Sequence, residues 1–427
     1  MGPMAETQDR WLPDRAPDPG WSAEEAAARA AAFDPRKLDD AFYENPYPLY
    51  SALLEHDPVH RCADGTWFLS RYEDLNRIYR DTRTFSSDKK VEFKPKFGDS
   101  PLYEHHTTSL VFSDPPLHTR VRKLIVGALS PRAIQHMEPG LVTLVDSLLD
   151  GLAEKGEVDL IEDFASAIPI EIIGNLLGVP RSERGPLRGW SLDILTALEP
   201  VLTPEQEKRG NDAVVEFVDY LKGLTHDRRQ NPGDPAVDVL TRLIQGERDG
   251  ERLTEVELLQ NCIFILNAGH ETTTNLIGNG LNALMEWPEE RARLLAEPAL
   301  IDTAVEEFLR FESSNQLGNR RVVEETEIGG VAMEPGALIT LCIGAANRDP
   351  DQFPDPHRLD LGRHPNKHLA FAGGPHLCAG LSLARLEGKI AIGRFLQRFP
   401  AYGLCGDRVR GGRARFRGFL KLPVRVT

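Results

Sequence analysis

From Pro46 onward the chain is dominated by runs in which apolar residues recur every three or four positions, the spacing that gathers them on one face of an α-helix. Extended segments are few. His60 to Arg71 is one, and Glu327 to Cys342 is another, with Gly329, Gly330, Pro335 and Gly336 as its turn residues. The longest helical pattern opens at Thr254, where Glu257 completes a T-x-x-E capping signature, and runs through LLQNCIFILNAGHETTTNLIGNGLNALMEW to a stop at Pro288. Its ~33 residues predict a helix of roughly 50 Å. Apolar residues from Leu258 to Leu266 cover most of its circumference, which predicts an axis buried through the body of the protein. The expected fold is mainly α with minor β.

No repeat, low-complexity linker or composition shift divides residues 36–427, so one large domain is expected there. Residues 1–35 read as an N-terminal tail, partly disordered. Pro3, Pro13, Pro17, Pro19 and Gly20 stand among charges, and a short helix follows Ser22, whose capping-box partner is Glu25.

Composition narrows the class of partners. Across 427 residues, 41% are hydrophobic and 27% charged, which excludes wholesale disorder. A net charge of −15 repels phosphate backbones and anionic membrane surfaces, so neither nucleic acid nor membrane is expected. Five scattered cysteines form no C-x-x-C pair and give neither a disulfide framework nor a zinc knuckle. No apolar run reaches the ~18–20 residues of a membrane span, and the N-terminus lacks a basic start before an apolar stretch. The expected compartment is the cytoplasm.

Two constellations carry chemistry. In the middle of the long helix, Ala268-Gly269-His270-Glu271-Thr272-Thr273-Thr274 replaces good helix formers with a glycine and three threonines. The Thr272 hydroxyl can bond the carbonyl four residues back, bending the helix and opening a groove beside the small residues 268 and 269. The segment suits a ligand groove or a kinked, closely packed core helix. The second constellation is FAGGPHLCAG, Phe371 to Gly380, followed by an amphipathic helix. Gly373, Gly374 and Gly380 permit tight or left-handed backbone around Cys378, and the positive N-terminal end of the next helix favours a thiolate. A thiolate there is a nucleophile or an iron ligand; a buried structural cysteine is the third reading. Glu307 and Arg310 stand i, i+3 on a helix and can pair. His118, Arg122, Arg320, Arg321 and His368 are too few to bind nucleic acid but enough to neutralise two carboxylates of a bound cofactor.

In order along the chain, these motifs resemble the cytochrome P450 family of haem-thiolate monooxygenases over residues 36–427. The family's haem loop, F-G-x-G-x-H-x-C-x-G, is met by Phe371, Gly374, His376, Cys378 and Gly380, with a small Ala372 in place of a glycine. The resemblance implies haem b with Cys378 on the iron. It places haem contacts at Ala268, Phe371 and Gly380, and propionate contacts at His118, Arg122, Arg320 and His368. It makes Glu271 and Thr272 the acid and alcohol that deliver protons, and Glu307 with Arg310 a structural pair.

By the same resemblance the protein inserts one atom of dioxygen into a small organic substrate, by hydroxylation or oxidative dealkylation. Its electrons come from NAD(P)H through a separate ferredoxin and ferredoxin reductase. A basic face at Arg120, Lys123, Arg132, Arg363 and Lys367 suits an acidic ferredoxin. Asn267, His105, His106, Asn315 and Gln316 suggest polar contacts to an oxygen-bearing molecule. The alternative is a non-enzymatic haem-thiolate sensor or ligand-binding protein, which would not need the Glu271–Thr272 pair.

Overall fold

The computed structural model describes residues 20–248 and 251–426. The first 19 residues of the tail expected over 1–35 lie outside them. Nine helices frame the site: α1 (Ala23–Ala31), α2 (Tyr47–His56), α3 (Leu117–Ala128), α4 (Pro131–Lys155), α5 (Leu187–Thr196), α6 (Pro204–Gln230), α7 (Glu255–Glu286), α8 (Ile301–Phe311) and α9 (Leu381–Arg398). The capping box before α1 is present, with the Ser22 amide donating to Glu25 at 2.8 Å. Residues 20–35 nonetheless belong to the body, because α1 packs on α2 and the Phe33 ring meets Phe68 edge-on at 4.7 Å.

The long helix α7 starts at its Thr254–Glu257 capping box and ends at Trp287, where Pro288 cannot continue the ladder. It is the axis of the molecule, packed on α5, α6, α8 and α9. Its backbone stays helical throughout, so the Thr272 side-chain bond is accommodated without a break.

Beside this helical body lies a five-stranded sheet of β1 (Val59–Arg61), β2 (Trp67–Leu69), β3 (Phe85–Ser86), β4 (Leu317–Val322) and β5 (Leu338–Cys342), in the order β1-β2-β5-β4-β3. Neighbours run antiparallel except β2 and β5, which are parallel with Phe68 opposite Thr340. Residues 60–71 and 327–342 are the extended segments that the pattern predicts. Strand β4 is an addition. Its GNRR core is polar, and its pairing with β5, Arg320 opposite Ile339, holds it in the sheet.

Candidate active site

Most side chains of α7 between Leu258 and Met285 are buried, yet Phe264, Ile265, Ala268, Gly269 and Thr272 keep accessible surface. Positions 264, 268 and 272 lie one above another on a helix. This stripe keeps accessible surface in the middle of an otherwise covered axis, as a ligand groove would require. The Thr272 hydroxyl donates to the Ala268 carbonyl at 2.7 Å, which commits its proton and leaves its oxygen lone pairs as acceptors. Glu271 is buried, and its carboxylate is held by the Arg413 guanidinium and by Asn275 Nδ2 at 3.2 Å.

The cysteine loop is built by backbone bonds. The Cys378 amide donates to Phe371 O at 3.0 Å and the Leu377 amide to Gly374 O at 3.0 Å. Gly374 sits at φ +61°, and a Cβ there would lie 2.2 Å from the Tyr79 carbonyl, so no other residue fits. The second left-handed residue is Ala372, at φ +56°, rather than Gly373 or Gly380. The alanine is small, as expected, but it occupies backbone that disfavours any Cβ, at a cost of roughly 1–2 kcal/mol. Gly380 caps α9. Burial raises the Cys378 thiol above its ordinary value, against the Gly380 amide, Arg122 and Arg385, which favour the thiolate. At this sulfur desolvation opposes the helix terminus.

Above the loop, His118 and Arg122 from α3, Arg320 from β4 and His376 gather into one cationic cradle. The His118 and His376 rings stack at 4.0 Å, and the Arg320 guanidinium lies 5.1 Å from the Tyr79 ring. Burial lowers all four groups, and at the two histidines repulsion from neighbouring cations adds to it: His376 falls to about 2 through desolvation and then the charges of Arg320, His118 and Arg122. His118 Nε2 and Arg320 Nε are buried without a protein partner. Asp114 is the acidic group that His118 and Arg320 feel, and it is engaged by Ser86 and the Ser87 amide. Buried donors of this kind suit an anion from outside the chain.

His368 departs from expectation. Its Nε2 lies 3.2 Å from Glu306 and its Nδ1 accepts from the Ala370 amide at 3.3 Å, so both ring nitrogens are engaged. Arg385 grips the same glutamate at 2.6 and 2.8 Å, and both His368 and Arg385 flank the Phe371 ring. His376 stands in the cradle instead. The sequence signal for it was its fixed place two residues before the cysteine. Arg321 follows Arg320 in β4 and so faces the opposite side of the sheet.

Glu307 and Arg310 form a bidentate pair at 2.7 Å, both fully buried. Arg363 donates to Glu307 and is only 10% exposed, and Arg120 pairs with Glu257. These two residues therefore leave the expected basic face, on which Lys123, Arg132 and Lys367 remain. Among the polar residues expected near a substrate, Asn267 Nδ2 reaches His105 Nε2 at 3.4 Å, and His105 Nδ1 meets Gln260 at 3.0 Å. His106 packs instead among Phe93, Phe97 and Phe112. Asn315 bridges to Phe416, and Gln316 donates to the Ser313 carbonyl.

The family model described as Cytochrome P450 matches residues 189–402. The chain is 36% identical over 400 residues to the 6-deoxyerythronolide B hydroxylase of Saccharopolyspora erythraea, covering 91% of this chain and 97% of that protein. It is 37% identical over 390 residues to the vitamin D(3) 25-hydroxylase of Pseudonocardia autotrophica, covering 90% and 94% respectively. The chain belongs to the cytochrome P450 family. Among solved structures, P450BioI in complex with an acyl carrier protein ligated to hexadec-9Z-enoic acid superposes with a TM-score of 0.85 at 34% identity, covering 91% of this chain and all of that one.

A cytochrome P450 is a haem-dependent monooxygenase that acts on small organic substrates, and this enzyme's residues fit the group. The orphaned donors of His118 and Arg320 suit the carboxylates of a dianionic, flat cofactor, Cys378 supplies a single soft donor, and the Ala268 stripe keeps accessible surface. Among the described residues no helix is long and apolar enough to cross a membrane.

Proposed function

We propose that this cytochrome P450 holds haem b with Cys378 as the iron ligand and hydroxylates or oxidatively dealkylates its substrate in the cytoplasm. The observation that carries the reading is the union of Cys378 in its loop with the cluster of His118, Arg122, Arg320 and His376, in which His118 Nε2 and Arg320 Nε are buried without a protein partner. Those four would hold the two propionates, Phe371 and Gly380 would frame the ligand loop, and Ala268 would form the opposite wall. Haem bound through a thiolate supplies dioxygen activation.

The chain's own residues supply the protons and exclude water. Thr272, its proton committed to the Ala268 carbonyl, accepts a hydrogen bond from the cavity and orders the group that donates it. Glu271, the adjacent acid, carries the proton inward. Electrons would come from NAD(P)H through a ferredoxin and its reductase, docking at Lys123, Arg132 and Lys367. Similarity to named hydroxylases favours an enzyme over the ligand-binding alternative. Their named substrates make vitamin D(3) and 6-deoxyerythronolide B the first compounds for a spectral-shift screen.

The test is the carbon monoxide difference spectrum of the reduced protein. Cys378→Ala is expected to lose the thiolate-type band, and an unchanged band would remove Cys378 from the iron. Haem retention separates the two histidines: His376→Ala is expected to lower it, and His368→Ala to leave it near wild type.

A further inference from the structure

One face of the buried axis α7 is polar. Glu271, Asn275, Asn279, Asn282 and Glu286 recur at the three- and four-residue spacing that stacks them in a row. Residues 408–418 answer most of that row, with the Glu312 carbonyl also accepting from Asn279 Nδ2 at 3.3 Å. Arg408 donates to Asn282 Oδ1 and Glu286 Oε1, both at 2.6 Å, and Asn279 Nδ2 donates to the Arg417 carbonyl at 3.0 Å. Gly418 lies so close to Asn275 that a Cβ would sit 1.9 Å from Asn275 Oδ1. At the last rung, Arg413 pairs with Glu271, beside Thr272.

The same segment is tied down elsewhere. Arg417 pairs with Glu312, and Glu199 at the end of the α5 region accepts the Ala414 amide at 2.8 Å. The Gln316 amide donates to the Arg415 carbonyl at 2.7 Å, and Ser314 Oγ donates to the Thr272 carbonyl at 2.8 Å. Arg413, like Arg410 in the same segment, is incompletely satisfied, but it alone of the two meets Glu271. Its Nη1 is buried without a partner, and Gly412 beside it is exposed to solvent. A buried guanidinium with one orphan nitrogen and one carboxylate partner fixes that carboxylate's direction while leaving the pair less anchored than a saturated one.

We propose that Arg413 is a positioning residue for proton transfer, holding the Glu271 carboxylate in register with the Thr272 hydroxyl from the segment 408–418. The proposal rests on the reading of Glu271 and Thr272 as the proton-delivering pair. Arg413 touches neither substrate nor cofactor and acts through Glu271. A proton from water binds the Glu271 carboxylate and leaves it for the hydrogen-bonded group at Thr272, so no net charge accumulates on the pair over a cycle.

The experiment uses the haem-loaded full chain with a surrogate ferredoxin, its reductase and NADPH, without added substrate, and measures peroxide released per NADPH oxidised. Arg413→Gln is expected to raise the peroxide share by about threefold, Arg413→Lys to stay near wild type, and Arg413→Gln combined with Glu271→Gln to match Glu271→Gln alone. Additive effects in the double variant would assign Arg413 a merely structural role and overturn the proposal. A wild-type peroxide share in Arg413→Gln alongside a raised share in Glu271→Gln would also overturn it, leaving the acid–alcohol reading intact. Unchanged shares in Glu271→Gln and Thr272→Ala would instead remove that reading and the proposal with it. The infrared C–O stretch of the reduced carbon monoxide complex gives a readout apart from turnover, expected to move in Arg413→Gln and return in Arg413→Lys. Should Arg413→Gln fail to fold, Asn275→Leu loosens the same carboxylate from its other side, and its failure to raise the peroxide share would overturn the proposal.

Discussion

Two of the interior glutamate–arginine pairs of this enzyme differ more in their surroundings than in their chemistry. Glu307 and Arg310 are saturated: Arg310 also donates to the carbonyls of Asn347, Pro356 and Arg358, while Glu307 accepts from Arg363, Asn366 and the Asp360 amide. Glu271 and Arg413 have Asn275 beside them and one orphan nitrogen. The first pair knits α8 to the segment 347–366 and has no freedom left. The second joins the active-site helix to a segment with an exposed residue, and its incomplete hydrogen bonding leaves one side chain able to move. The density of secondary partners, rather than the ion pair itself, separates scaffold from machinery.

The largest expected effect tests the saturated pair. Arg310→Ala leaves Glu307 buried without its bidentate partner and is expected to cost about 3–5 kcal/mol, read as a loss of folded, haem-binding protein in denaturant titrations. A loss below about 1 kcal/mol would erase the contrast.

Glu387 sharpens the comparison from the opposite limit, as a buried glutamate whose Oε1 has no partner. Burial alone lifts its carboxyl from the ordinary 4.5 to about 8. Below the lower value both folded and unfolded chains hold the proton. Between the two values the unfolded chain releases it and the folded chain does not, so stability is lost as pH rises. Glu387→Gln is expected to stabilise the enzyme progressively across that window, by about 1.4 kcal/mol for each pH unit. Equal gains at both ends of the window would show that Glu387 is ionised in the fold.

Arg413→Gln should fall next, at about 1.5–3 kcal/mol, the scale of a hydrogen bond to a charged group. Thermal unfolding of Arg310→Ala and Arg413→Gln in one buffer ranks the two pairs directly, and the reverse order would contradict the comparison. Smallest is Ala372→Gly, which relieves left-handed backbone in the cysteine loop and is expected to add about 1 kcal/mol to stability. A loss of stability would mean that the Ala372 methyl makes packing contacts worth more than the strain.

Sequence legibility followed the range of each interaction. The capping box of α7, its buried length, the Thr272 side-chain bond and the cysteine loop are local, and each is written in a few adjacent residues. Strand β4 escaped notice because its polar GNRR core is held by pairing with β5. Glu271 showed itself as an acid, but its partner is 142 residues away and nothing near either residue signals the pairing. His368 meets Glu306, a partner 62 residues away, and a single sequence does not show that contact.

The ladder between α7 and residues 408–418 also bears on how the enzyme is made. A ribosome releases α7 with its row of amides and carboxylates unanswered, and the arginine that completes the final rung is added 142 residues afterwards. The nascent chain therefore carries a water-seeking stripe on what will become its deepest helix until the segment that seals it has been translated.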